Sequence, residues 1–352
     1  MAKQSHPTLA DIAKIAKVAP MTVSRVINSN GYVSDKVRKR VQLIIDRLEY
    51  HPNALARSLK SQSTRVVGIL LPDIKNPFSG ELADSIQQVL LERGYSAFIC
   101  TTEQSVQREQ AALGAFFDHR VAGIVVATLE TKEGDEALER FIRRGMPIVS
   151  VGREPGLSAV DRVTANHWRG GYDAAQHLIA MGHRHIAYVG ASAAHARRLR
   201  RFEGFCDALH EHGLEVREEW VAGPSSDSGP GFSTLADGYA ATQRLLDLSR
   251  RPTALFARND FTAMGAISAA RDRGLRIPED LAIVGFDNVP LSAFTTPPLT
   301  TVQQPTAEQG QRAAQLLLER IEGEVEMERR EVTFDCHLVI RSSTQTAAVT
   351  GP

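Results

Sequence analysis

Cysteine is scarce in this chain. Its 352 residues include only Cys100, Cys206 and Cys336, far apart, which excludes a disulfide framework and any CxxC metal or redox site. Long apolar runs are missing as well. The best, from Val66 to Leu71, stops at Pro72, far short of the ~20 residues of a membrane span. The polar segment from Met1 to Pro7 lacks the apolar centre of a secretion signal. There is no GxGxxG after the first strand-like run, no GxxxxGK followed by Ser or Thr, no GxSxG and no HExxH, so the common nucleotide-binding, hydrolase and zinc-protease chemistries have no carrier. His183, His185, His210 and His212 fall on surface-like helix and turn positions, so no metal or other cofactor is expected. A soluble, cytoplasmic, non-enzymatic protein without a membrane partner is the expectation.

Net charge is absent overall, with 41 Lys+Arg against 41 Asp+Glu, but it is unevenly spread. Residues 1–65 hold twelve basic side chains against four acidic ones, or +8, and the remainder therefore carries −8. A small basic block on a large acidic body suggests that the block alone meets a polyanion. The full length is ample for more than one buried core.

Helical spacing organises the block. Leu9, Ile12, Ala13 and Ala16 recur at i, i+3, i+4 and i+7, and Thr8 with Asp11 makes a capping-box start. After a break at Lys17–Ala19, Pro20 sits where a first helical residue belongs, and Val23, Val26 and Ile27 turn inward. Ser34 predicts the cap of a third helix to about Leu48, with Val37, Val41, Ile44, Ile45 and Leu48 on its inner face. Two short helices across a tight turn, completed by a third, make a helix-turn-helix. Its second helix then presents Met21, Thr22, Ser24 and Arg25 outward. Arg25 can fork onto guanine O6 and N7, and Met21 can touch a thymine methyl. Thr22, Ser24, Asn28 and Ser34 have short polar side chains suited to phosphate oxygens. Taken alone, Met21 also fits a core position and Ser24 a plain helix surface.

The run Thr8-Leu-Ala-Asp-Ile-Ala, then Val18 and Met21-Thr-Val-Ser-Arg-Val-Ile-Asn28, Val33-Ser, and Tyr50-His-Pro-Asn-Ala-Leu-Ala-Arg-Ser-Leu59 resembles the lactose-repressor/galactose-repressor (LacI/GalR) family, and the likeness extends to about Ser343. The resemblance implies major-groove roles for Pro20, Met21 and Arg25 and backbone-contact roles for Thr8, Leu9, Thr22, Ser24, Asn28 and Ser34. It also implies a hinge helix, with Asn53, Ala56 and Leu59 in the minor groove and Leu59 wedged into a base step. By residue chemistry alone Leu59 fits a core. Two departures stand out: Lys17 replaces the usual turn glycine, and Ala19 the usual serine cap. Each change costs about 1 kcal/mol.

From Arg65 onward strand-like and helix-like segments alternate. Strands are predicted at Val66–Leu71, Ser96–Cys100, Gly123–Ala127, Ile148–Val151, Arg162–Ala165, Ile186–Val189, Ala254–Ala257 and Ala282–Phe286. Helical stretches such as Gly80–Arg93, Arg108–Phe117, Gly171–Met181 and Met264–Arg273 lie between them. Such alternation predicts doubly wound parallel sheets, and the distance to the C-terminus is too great for one sheet, which predicts two lobes. The expected fold is therefore a small all-α helix-turn-helix domain plus an α/β ligand domain, which the resemblance makes a two-lobed, type I periplasmic-binding-protein-like fold crossed three times by the chain. The expected boundaries are residues 1–50 for the DNA-binding domain and 51–64 for the hinge and linker. The body is expected at 65–343, with lobes of 65–162 plus 291–325 and 163–290 plus 326–343, followed by a disordered tail at 344–352.

Ligands of open parallel sheets bind beyond the carboxyl ends of strands. Asp73 and Phe78 follow the first strand, Asn259 and Asp260 follow Ala254–Ala257, and Asp287 follows Ala282–Phe286. Asp287 could accept vicinal hydroxyls and Phe78 could stack on a ring, although Asn259 or Asp260 also fits a helix cap and Phe78 a core. The resemblance places Phe78, Arg201, Asn259 and Asp287 in an effector cleft. His195-Ala-Arg-Arg-Leu-Arg-Arg201 is densely cationic, and Arg169 stands where relatives often carry a carboxylate. Convergence of Arg169 and Arg201 would favour a sugar acid or phosphorylated sugar over a neutral sugar. The expected function is a repressor of carbohydrate or sugar-acid catabolic genes. It would act as a homodimer on a pseudo-palindromic double-stranded DNA operator under a small-molecule effector. A protein co-effector or a nucleobase is the alternative, with an enzyme or a transport receptor further behind.

Overall fold

The computed structural model describes residues 7–27, 30–48, 50, 64–103, 105–128, 132–152, 160–197, 199–224, 234–323 and 328–345. The chain divides into two units, Met1–Thr64 and Arg65–Pro352.

In the first unit three helices, Leu9–Ala16, Pro20–Ile27 and Asp35–Arg47, enclose a core of Ile12, Ala13, Ala16, Val23, Val26, Val33 and Val41. Thr8 and Asp11 close the capping box in both directions. Lys17 ends the first helix in the left-handed region (φ 51°, ψ 49°), the conformation that a glycine adopts without the Cβ penalty. No side-chain cap starts the second helix; Thr22 donates its N–H to the carbonyl of Ala19 instead. So small a core leaves this unit little stability to spare.

The second unit holds two six-stranded sheets with helices on both faces of each. The first sheet contains β1 (Val66–Leu71), β2 (Ser96–Thr101), β3 (Gly123–Val126), β4 (Ile148–Val151), β5 (Asp161–Ala165) and β11 (Glu331–Phe334), all parallel, in the order β11-β5-β4-β3-β1-β2. The second has β6 (Ile186–Val189), β7 (Val221–Ala222), β8 (Ala254–Ala257), β9 (Ala282–Asp287), β10 (Thr300–Gln303) and β12 (His337–Val339), in the order β12-β10-β9-β8-β6-β7. Only β12 runs antiparallel to its neighbour. Helices Pro77–Glu92 and Thr306–Ile321 cover one face of the first sheet and Val106–Asp118 and Lys132–Ile142 the other. On the second sheet, His167–Ala180 and Arg200–Glu211 lie on one face, with Leu235–Leu246 and Asp260–Asp272 opposite.

All eight expected strands are present. The lobe limits, however, need correction. The chain crosses after β5, between β10 and helix Thr306–Ile321, and between β11 and β12. The segment 291–304 therefore belongs with the second sheet, and β5 and β11 with the first. Thr300 to Gln303 pair in register with Val284 to Asp287, which holds β10 beside β9. Asp161, fully buried at the head of β5, holds β11 in place, accepting from the guanidiniums of Arg320 and Arg330 and from the Arg330 backbone. Burial works against this carboxylate, but the two arginines keep its pKa below the usual range.

A reading helix and a cleft at the carboxyl strand ends

The helix Pro20–Ile27 buries Val23 and Val26 and turns the rest of its surface outward. Met21 is 59% exposed, so the core alternative for it fails. Pro20 and Arg25 are exposed as well, and Thr22 and Ser24 are half-buried beside them. Gly31 has φ +80°, and a Cβ there would sit 3.5 Å from Arg25 Cδ. Thr8 spends its hydroxyl on Asp11 (2.6 Å), and Leu9 packs partly into the core. Ser34 caps the third helix by backbone geometry, without a side-chain hydrogen bond. Asn28, Asn53, Ala56 and Leu59 lie outside the described residues. Tyr32, 90% exposed next to Gly31, is a surface aromatic that sequence reasoning passed over, because nothing in local spacing marks it.

The second site is built where the strands of both sheets end. Asp287 closes β9 and is nearly buried. Gln304, just past β10, donates Nε2–H to its Oδ1 at 2.6 Å. Asn76, the cap of helix Pro77–Glu92 in the first lobe, is close enough to favour its charged form. Burial pushes the Asp287 carboxyl up to about 6, against the opposing pull of Arg201, Gln304, Asn76 and Arg258. Its backbone has φ 108° and the next residue, Asn288, φ 55°, a corner that costs about 1–3 kcal/mol per residue.

Arg201 lies in the first turn of the helix Arg200–Glu211, with its guanidinium carbon 4.0 Å from the centre of the Phe286 ring. It donates to the Arg258 carbonyl and, at 2.9 Å, to Nδ1 of His167. An arginine only donates, so Nδ1 must be the accepting nitrogen and Nε2 must carry the proton. That Nε2–H is buried without a partner. Burial, followed by the charges of Arg201 and Arg162, holds His167 well below its usual pKa, so it stays neutral. The Tyr188 hydroxyl, in the same aromatic cluster, is also buried and unpaired, and burial drives it up to about 12.

Helix packing sets where Arg201 stands. A Cβ on Gly171 would fall 1.9 Å from the Arg201 carbonyl oxygen, and one on Gly204 would fall 2.0 Å from that of Trp168. The two helices therefore meet backbone to backbone, which glycine alone permits.

The structure thus brings Arg201 and Asp287 into one electrostatic cluster. Phe78 is half-buried at the first turn of its helix, with its N–H on Asn76 Oδ1 at 3.0 Å, and packs against the first lobe's core. Asn259 caps the helix Asp260–Asp272, accepting from Thr262 N and Oγ1 at 2.9 and 2.8 Å, as the helix-cap alternative expected. The expected convergence of Arg169 with Arg201 does not occur. Arg169 is half-exposed and its Nε meets Asp173, one turn along the same helix, at 2.9 Å. The second arginine beside Asp287 is Arg258, directly after β8. Sequence reasoning missed Arg258, His167, Gln304 and Asn76. For Arg258, His167 and Gln304 a position one or two residues beyond a strand end was the available signal, and for Asn76 its place as a helix cap before Pro77.

Among the described residues no helix is long and apolar enough to cross a membrane. Residues 8–53 match the bacterial regulatory proteins of the lacI family, and residues 175–344 a periplasmic binding protein-like domain. The chain is 36% identical over 341 residues to the HTH-type transcriptional repressor PurR of Mannheimia succiniciproducens, covering 97% of this chain and 99% of that protein. It is likewise 36% identical to the HTH-type transcriptional regulator DegA of Bacillus subtilis, with 96% and 98% covered. The Lac repressor dimer bound to operator and the anti-inducer ONPF superposes with a TM-score of 0.85 at 25% identity, over 97% of this chain and 100% of that one. The transcriptional regulator CelR in complex with cellobiose gives 0.70 at 30%, over 96% and 99%. The chain belongs to the lacI family of bacterial regulatory proteins: it is a DNA-binding transcriptional regulator, not an enzyme.

Proposed function

We propose that this regulator is a repressor that binds a pseudo-palindromic operator as a homodimer and responds to a hydroxyl-bearing small molecule, a sugar, sugar acid or sugar phosphate, in the cleft between its two sheets. One observation carries the reading. Asp287 ends a strand of one lobe yet feels Asn76 of the other, which helps pull its carboxyl down, with Arg201 and Arg258 acting on it too. A ligand that takes over the Asp287 carboxylate must therefore rearrange a contact between lobes, and its unequal affinity for the two arrangements is what shifts the population. Vicinal hydroxyls suit the carboxylate, the two guanidiniums suit an acid or phosphate group, and the unpaired His167 Nε2–H offers one more donor. The repressor names of the curated relatives, the operator-bound Lac repressor dimer and the cellobiose complex of CelR support the same reading. A planar nucleobase is a second reading, favoured by the ring face of Phe78 next to Asn76.

Thermal unfolding of the full chain with panels of neutral sugars, sugar acids, sugar phosphates and nucleobases tests this, because a ligand of the folded state raises the midpoint by mass action. A compound from the first three panels is expected to raise it in the natural protein and not in Arg201→Ala. A response to bases alone selects the second reading. Silence across every panel overturns both, and a rise from the first three panels that survives Arg201→Ala overturns the first.

A further inference from the structure

Among the described residues, Asp287 and Asn288 are the only consecutive non-glycine pair with positive φ. Glycine would adopt such a backbone freely but would bring no carboxylate to the cleft. An acid at a glycine-like position needs support from outside, and it comes from three distant pieces of chain. Asp260, fully buried at the start of helix Asp260–Asp272, accepts the Val289 N–H at 2.8 Å and the Thr301 hydroxyl. Thr301 Oγ1 in turn accepts the Asn288 N–H at 3.3 Å. Arg341, just beyond β12, donates to Asn288 Oδ1 at 2.7 Å, to Ser292 Oγ at 3.2 Å and to the Leu299 carbonyl at 2.7 Å. Asn288 Oδ1 also accepts the Ser292 hydroxyl at 3.3 Å.

We propose that Asp260, Thr301 and Arg341 form a clasp that holds the Asp287–Asn288 corner in its left-handed conformation and so positions the Asp287 carboxylate for the effector. The inference rests on the reading of Asp287 as an effector anchor. Arg341 is its central positioning residue. A planar fork reaches three acceptors on two segments at once, which a lysine's single ammonium centre does not. Burial, and then the charge of Asp287, hold the Asp260 carboxyl well above its usual range, and both of its oxygens are engaged.

Hydrogen exchange of the full chain, read by mass spectrometry, tests the clasp without any ligand. Arg341→Ala is expected to speed exchange at residues 287–292 about tenfold or more, with the first sheet unchanged. Adding Asn288→Gly should recover most of that protection, since glycine takes the positive φ without penalty. It makes no contact in place of the guanidinium, so a purely packing role for Arg341 would not be rescued. A released Asp287 also loses its raised proton affinity, so the pH dependence that Asp287→Asn removes should flatten in Arg341→Ala. Unchanged exchange in Arg341→Ala, or faster exchange that Asn288→Gly leaves as it is, overturns the proposal. Should Arg341→Ala not fold, Arg341→Lys with and without Asn288→Gly carries the same comparison. Failure of every ligand panel, in contrast, overturns the effector reading and leaves the clasp standing.

Discussion

Asp287 binds its proton more tightly in the folded chain than in the unfolded one, because burial raises its carboxyl from the ordinary 3.8 to about 6. The linkage follows directly. The stabilisation it contributes is fully present below about pH 4 and is lost as pH rises through about 6. Asp287→Asn, which cannot ionise, should therefore gain on the natural protein between about pH 4 and pH 7, by roughly 3 kcal/mol at the upper end. Thermal unfolding of both proteins across that range checks it; a constant difference would count against the buried carboxyl. At the other site, Arg25 has an exposed side chain. Arg25→Ala should lose about 1–3 kcal/mol of operator preference while retaining weak, salt-sensitive binding to any duplex. Equal losses on operator and random DNA in a titration would show that the residue reads no base. The partner of each arginine was not legible in the sequence. Arg169 and Arg201 look alike as cationic residues, but Asp173 lies one turn from Arg169, whereas Arg201 faces Phe286, His167 and the Arg258 carbonyl.

At the scale of elements, periodicity and caps were readable because they are local. Thr8 with Asp11, the inward faces of the three short helices and the buried four-residue runs of β4, β6 and β8 all appear where spacing put them. The strands β7, β10, β11 and β12 were not readable. They are two to four residues long and only partly apolar, and they exist because a neighbouring strand supplies their hydrogen bonds. The glycine contact between the helices His167–Ala180 and Arg200–Glu211 gives a sharper prediction. Gly171→Ala must push the helices apart against a 1.9 Å overlap with the Arg201 carbonyl oxygen. It should cost about 1–3 kcal/mol of stability by thermal or denaturant unfolding and weaken the effector-induced rise as Arg201 moves. A variant with unchanged midpoint and response would show that the helix contact is slack.

For the whole molecule, charge and structure divide at nearly the same place. The +8 of residues 1–65 falls, Arg65 apart, on the Met1–Thr64 unit, and the acidic remainder on the unit of the two sheets. A chain starting at Arg65 should therefore keep any ligand-induced rise in its unfolding midpoint and lose DNA binding altogether. Loss of the ligand response in that shortened chain would mean that the cleft needs the basic unit.

The sequence by itself determined the features that depend on neighbours a few residues away: the helix-turn-helix with its capping box, the alternation of strands and helices, the charge division and the family. Tertiary structure alone decided which sheet receives β5, β10 and β11, which arginines gather around Asp287, and that a strained corner is clasped from Asp260, Thr301 and Arg341. The physical reason is range. Periodicity and caps are settled within a helical turn, whereas strand pairing and the partner of a buried charge are settled by groups such as Asp161 and Arg330, or Arg201 and Asp287, that lie far apart along the chain and meet only after folding.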